Sequence, residues 1–209
     1  MKPPPGVISV ADHTGWAHLV CVSVQGGVPV VVERRRVALI DPGLPTLPYE
    51  HDTVAMREDD AEALIARVRR SIAACTTRAL ERVVSELAPT CAVVALAIRQ
   101  PPFPRIPSSV RAVHASYQLK CSADGMLYQD ALCRSAKRQK LEVRLHQRGE
   151  EVELAARSLG VPPNEVEAFV TRAGRPAGPP WTQEHRLAYA AAIAALAPHA
   201  RMRLADRGI

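Results

Sequence analysis

Aromatic side chains are scarce in this sequence. Two Trp, four Tyr and two Phe make up 4% of 209 residues, which argues against the rows of stacking platforms that general single-strand binders use. Long apolar runs are also missing. The longest, at residues 91–98 and 187–198, fall well short of the roughly 20 residues needed to cross a bilayer as a helix. Nucleotide-binding and serine-hydrolase signatures are absent too: there is no Walker loop, no G-x-G-x-x-G and no G-x-S-x-G, so those activities have little support. The five cysteines, Cys21, Cys75, Cys91, Cys121 and Cys133, are odd in number and no two have C-x-x-C spacing. This argues against a disulfide framework or a zinc knuckle and for buried, reduced thiols in a cytoplasmic protein. No secretory signal is expected, because the apolar run from Val7 is soon broken by Asp12 and His13.

What is present is a chain that is 47% hydrophobic, enough for one sizeable core. The expected organisation is a Pro-rich leader at residues 1–6, one domain at 7–197 and a polar tail at 198–209. The net charge of +6 is carried mostly by arginine and permits a polyanionic partner.

Residues 7–11, 16–24 and 28–40 read as three strands joined by a turn at 12–15 and a hairpin at Gln25-Gly26-Gly27. They should form an antiparallel meander. After a Pro- and Gly-rich loop at 41–48, Leu64, Val68, Ile72, Cys75, Ala79, Val83 and Leu87 recur at steps of three or four. This spacing predicts a long amphipathic helix over 57–87, with acidic residues at its start and Pro89 after its end. Residues 91–98 are uniformly apolar and read as a central strand covered on both faces. A Pro-rich connection at 100–107 leads to a second helical region that runs to about Lys140, with a break expected at Asp124-Gly125. A short strand is expected at 141–146, followed by helices at 150–159, 164–171 (with Asn164 near its cap) and 181–196 (with Thr182 as N-cap), and a turn-rich segment at 174–180.

The fold class expected is therefore α/β, with a mixed five-stranded sheet and helices on both faces, in the order βββαβαβα. The first strand ends at Asp12-His13-Thr14-Gly15-Trp16, and the last helix opens with Thr182-Gln183-Glu184-His185-Arg186-Leu187-Ala188. With these two motifs at its ends, the chain resembles the ribonuclease H-like superfamily, and most closely its Holliday-junction resolvase branch. The resemblance covers roughly residues 7–196. It implies a divalent-metal-dependent nuclease acting on structured DNA or RNA, with Mg2+ or Mn2+ held by carboxylates. In such chemistry one metal activates water and the other steadies the leaving oxygen.

On that reading Asp12 and Glu184 are the metal ligands, with His185 as a further catalytic candidate. A turn-forming aspartate, an acidic residue favouring a helix N-terminus and a capping histidine are the plainer readings of the same three residues. Glu184 precedes Leu187, Ala188 and Ala191 at steps of three, four and seven, which predicts a place on the small, buried face of the helix. Glu50, His51 and Asp52 could add a ligand from the loop before the long helix. The fourth strand departs from the resembled pattern: it should end on an acidic residue, and here it is followed by Arg99. A cation there would repel a metal. Arg134, Lys137, Arg138 and Lys140 form a basic helical end suited to phosphate contacts. Arg34, Arg35 and Arg36 should alternate between sheet faces. Two functions follow as expectations: a metal-dependent nuclease, or a noncatalytic nucleic-acid-binding or assembly module with a degenerate metal site. A homodimer is allowed by either, and no membrane partner is expected. An actin-like use of the sheet for phosphate binding lacks its second glycine-rich loop.

Overall fold

Strands open the chain where apolar and β-branched residues cluster. In the computed structural model, which describes residues 2–101 and 105–204, β1 spans Pro5–His13, β2 Trp16–Gln25 and β3 Val28–Ala38. β1 starts inside the expected leader, and its turn is shorter than expected. Only Thr14 and Gly15 separate it from β2, with Gly15 at φ +92° and its Cα facing Thr46, which a Cβ would meet at 2.7 Å. That conformation suits glycine.

Helix α1 spans Glu58–Leu87 and buries Val68, Ile72, Cys75, Val83 and Leu87, together with Ile65 and Leu80. The segment Pro48–Asp52 before it is a short π-helical turn rather than an open loop. β4 spans Ala92–Arg99. The second helical region is divided at Ser116, not at Asp124-Gly125: α2 is Val110–His114 and α3 runs unbroken through Tyr117–Arg138. The reason lies in the side chains. Ser109 and Ser116 each accept a hydrogen bond from an amide three residues on, as N-caps do. Asp124 turns away from its own helix and accepts from the amides of Tyr49 and Glu50 at 3.0 and 2.9 Å. Part of the expected connection, residues 102–104, lies outside the described residues, as do residues 205–209 of the expected tail.

β5 is Glu142–His146, followed by α4 (Glu151–Leu159), α5 (Pro163–Arg172), a single turn α6 (Gly174–Ala177) and α7 (Gln183–Leu196). Pro162 stands at the N-cap of α5, and Asn164, expected near the cap, is the second residue of the helix. Proline at the first helical position, here Pro163, loses no hydrogen bond there.

The sheet order is β3-β2-β1-β4-β5. β1, β2 and β3 pair antiparallel, while β4 runs parallel to β1 and β5 parallel to β4. This mixed five-stranded α/β sheet is the ribonuclease H-like arrangement. Strand alternation divides the core in two. Ile8, Val10, Leu96 and Ile98 pack with α1 and α3, whereas Val7, Ala95 and Ala97 pack with α4, α5 and α7. Met202 and Leu204 also pack on the second side, and the Arg203 amide donates to the Gly27 carbonyl at 2.8 Å. The expected polar tail is therefore held against the sheet as far as Leu204. Among the described residues no helix is long and apolar enough to cross a membrane.

Candidate functional site at the strand ends

Because β1, β4 and β5 are parallel, their C-terminal ends lie together. Val10 is in register with Ile98, and Arg99 with His146. The N-termini of α4 and α7 come to the same end, so Arg99, His146, Glu151 and Glu184 line one small cavity of about 50 Å3 with Val10, Ala11, Leu187 and Ala188. In open sheets with parallel strands, this is the end at which ligands bind.

Asp12 follows Ile8 and Val10 onto the α3 side of the sheet. Its side chain is only 9% exposed. Arg99 follows Ala95 and Ala97 onto the α7 side, but its guanidinium reaches around the end of β1. There Nη2 donates to the Asp12 carbonyl at 3.1 Å and to Oδ1 at 3.3 Å. Gln129 of α3 donates to the other carboxylate oxygen at 2.9 Å. Both oxygens of Asp12 are thus engaged by protein donors.

Glu184 lies on the other side of the strand ends. Its side chain is 46% exposed, contrary to the expected buried position. Its partner is His13, with Nε2 3.1 Å from Oε1 and 3.2 Å from Oε2. Alternation makes this unavoidable: in β1 the residue facing α7 at this level is His13, not Asp12. The two carboxylates expected to share a metal are therefore directed to opposite faces.

His185 is buried, 1% exposed. Its Nδ1 accepts from the Thr182 backbone N–H at 3.1 Å and lies 2.9 Å from the Thr182 hydroxyl, so it caps α7. Burial, followed by nearby His18, pushes its pKa down to about 4. His18 is lowered as well, again mainly by burial. Their rings lie 4.4 Å apart, centroid to centroid. Trp16 stacks on His13 at 3.9 Å and carries the Arg36 guanidinium 4.3 Å over its ring.

The residues Glu50, His51 and Asp52 do not join this site. Glu50 accepts from the Tyr117 hydroxyl at 3.0 Å and lies 3.7 Å from His51. Its amide is anchored to Asp124 on α3. Burial raises the Asp124 pKa to about 6.

These residues do not fit a two-metal pair. Hard divalent ions need several free oxygen ligands. Here one carboxylate is held by a guanidinium and an amide, and the other faces a histidine. Among the described residues, no group of three or more His, Cys, Asp or Glu side chains is placed to hold a metal ion.

Sequence reasoning identified Arg99 but not its reach to Asp12. It missed Gln129, His13, Asp124 and the buried pair His146 and Glu151, whose closest N···O distance is 3.5 Å. The arginines of β3 alternate as expected. Arg35 pairs with Glu33 and Glu86, while Arg34 donates to the carbonyls of Gly178, Pro179 and Pro180. All five cysteines are free.

No family model matches the sequence, and no curated protein matches it. The chain is similar in structure to RuvC of Thermus thermophilus, at 15% identity and TM-score 0.49, over 94% of this chain and 98% of that one. It is also similar to T. thermophilus RuvC in complex with a Holliday junction substrate, at 12% identity and TM-score 0.49, over 90% of each chain. A member of the Ppx/GppA protein family from Aquifex aeolicus matches at 11% identity and TM-score 0.38, over 80% of this chain and 40% of that one. It is the strand order and strand directions of the sheet that make the fold ribonuclease H-like.

Proposed function

We propose that this protein is a noncatalytic ribonuclease H-like module that binds nucleic acid, with an ion pair where a metal-dependent nuclease would hold its cations. The observation that carries this reading is the Asp12–Arg99 pair. A divalent ion bound to Asp12 would lie near the guanidinium. At about 4 Å and an effective dielectric constant near 20, a +2 and a +1 charge repel by about 8 kcal/mol. A metal must therefore displace Arg99 before Asp12 can serve it. The net charge of +6 and the exposed Arg134, Lys137, Arg138 and Lys140 support a polyanionic partner.

The test incubates the full chain with four-way junctions, duplex DNA and duplex RNA, with and without Mg2+ or Mn2+. Binding that weakens as salt rises, with no metal-stimulated cleavage, is the expected result. Metal-dependent cleavage that disappears in Asp12→Asn would overturn the reading and restore the nuclease. Absence of both binding and cleavage would overturn it in favour of a protein-assembly role.

A further inference from the structure

We infer that the groove between α1 and α3, away from the strand ends, is where a nucleic-acid backbone binds. This rests on the nucleic-acid-binding reading above and assigns it a surface. The groove has a volume of about 500 Å3 and carries five cations: Arg69 and Arg70 from α1, and Arg134, Lys137 and Arg138 from α3. Its lining also includes Ala73 and Ala131.

Helical spacing explains the arrangement. Arg69, Arg70 and Ala73 share one face of α1, while Ala131, Arg134, Lys137 and Arg138 recur at steps of three and four on α3. The alanines are short, so the long cationic side chains rise as walls on either side of a shallow floor.

Two of these cations are held in place without being neutralised. Arg69 donates to the Tyr49 hydroxyl at 2.9 Å, and Arg138 donates to the Thr77 hydroxyl at 2.5 Å. Among the described residues, the one carboxylate paired with the five is Asp130, 3.6 Å from Arg134 and exposed. Elsewhere on this face the protein does neutralise arginine: Arg82 and Arg35 both pair with Glu86, and Arg78 with Asp41. The groove thus concentrates net positive charge on walls supplied by two helices. A phosphodiester backbone suits it, since its charges are regularly spaced along a narrow strand and its sugars can lie over the alanine floor. A flat anionic bilayer suits it less, because a concave groove without apolar side chains at its rim offers nothing to insert.

The experiment measures binding of fluorescein-labelled duplex DNA to the full chain across a salt series. It compares wild type, Arg70→Gln/Lys137→Gln and a control, Arg157→Gln/Arg172→Gln, in which two exposed cations on α4 and α5 are removed. Thermal melting confirms that all three fold. Removing one cation that neutralises a phosphate lowers the slope of log K against log salt by about 1, so the groove double variant should show a slope smaller by about 2. Its affinity should then fall about 16-fold less than that of wild type between about 50 and 200 mM salt. The control should keep the wild-type slope. An equal reduction in both double variants would overturn the groove and leave the nucleic-acid-binding reading standing. If wild type binds no DNA, the functional reading itself falls. Tighter binding to phosphatidylserine vesicles than to DNA, abolished by the groove substitutions, would overturn nucleic acid as the occupant.

Discussion

Replacing Arg99 by Met tests whether the ion pair stands where a metal would. The substitution keeps much of the side chain's length and removes its charge. Asp12, whose side chain is only 9% exposed, is then left with Gln129 as its one remaining side-chain donor among the described residues. Breaking a fully buried ion pair costs about 3–5 kcal/mol, because one charge stays behind without its partner. Arg99 is 29% exposed, so water reaches the vacated position. The expected cost is therefore reduced to about 2 kcal/mol, or about 4–8 °C in Tm for a domain of this size. Asp12→Asn leaves an acceptor for Gln129 and should cost about 1 kcal/mol. The double variant Asp12→Asn/Arg99→Met should cost little more than Arg99→Met alone, giving a coupling of about 1 kcal/mol in a double-mutant cycle by urea denaturation. Arg99→Glu places a carboxylate where the cation stood. Its stability should rise with Mn2+, by about 2.7 kcal/mol when the ion is at 100 times its Kd. Wild type should show no such rise. The reasoning fails if Arg99→Met stays within about 0.5 kcal/mol of wild type, the range of ordinary surface substitutions. It fails equally if Mn2+ stabilises wild type as strongly as Arg99→Glu.

Two titrations give further checks. His185 has its pKa lowered from 6.5 to about 4, so between these values the unfolded chain binds a proton that the folded chain does not. Stability should be level above pH 6.5 and fall as pH drops through 4, by at most about 3 kcal/mol, and His185→Gln should flatten that interval in a pH series of urea melts. Asp124 has the opposite sign: its folded pKa is raised from 3.8 to about 6, so its contribution is full below pH 3.8 and declines as pH rises through 6. Asp124→Ala strips the acceptor from the Tyr49 and Glu50 amides and should cost about 2 kcal/mol, most at low pH. A cost that grows with pH instead would show that those two amides outweigh burial.

The elements of the fold were legible where local pattern and long-range packing agree. The step of three or four along α1, the uninterrupted apolar run of β4 and the hairpin glycines each predict what forms. The break expected at Asp124-Gly125 illustrates the limit. Locally those residues favour a turn, but the carboxylate of Asp124 is used by amides some 75 residues earlier in the chain, so the helix continues through it. The same limit governs the site. That Arg99 lies at the end of the fourth strand, just after the apolar run 91–98, is plain from sequence. That it reaches Asp12 depends on the parallel register of Val10 with Ile98, which no local pattern encodes. Gln129, more than a hundred residues from Asp12, carries no signal of its own. Glu184 misled because the helical phase that groups it with Leu187 and Ala188 does not reveal that His13, at the end of β1, is its neighbour.

The strand ends are also where helix termini and carboxylates meet. Two helix N-termini bring partial positive charge to this end of the sheet. Each carries a carboxylate in its first turn, Glu151 on α4 and Glu184 on α7. Glu151 closes back on the Gly149 amide at 2.9 Å and lies beside His146, while Glu184 meets His13. Asp12, at the end of β1, has Arg99 as its counter-charge. Each of these three carboxylates thus has a protein partner, two of them histidines. The cation cluster of the α1–α3 groove shares no lining residue with the cavity at the strand ends, so the proposed polyanion surface and these three carboxylates are separate parts of the same fold.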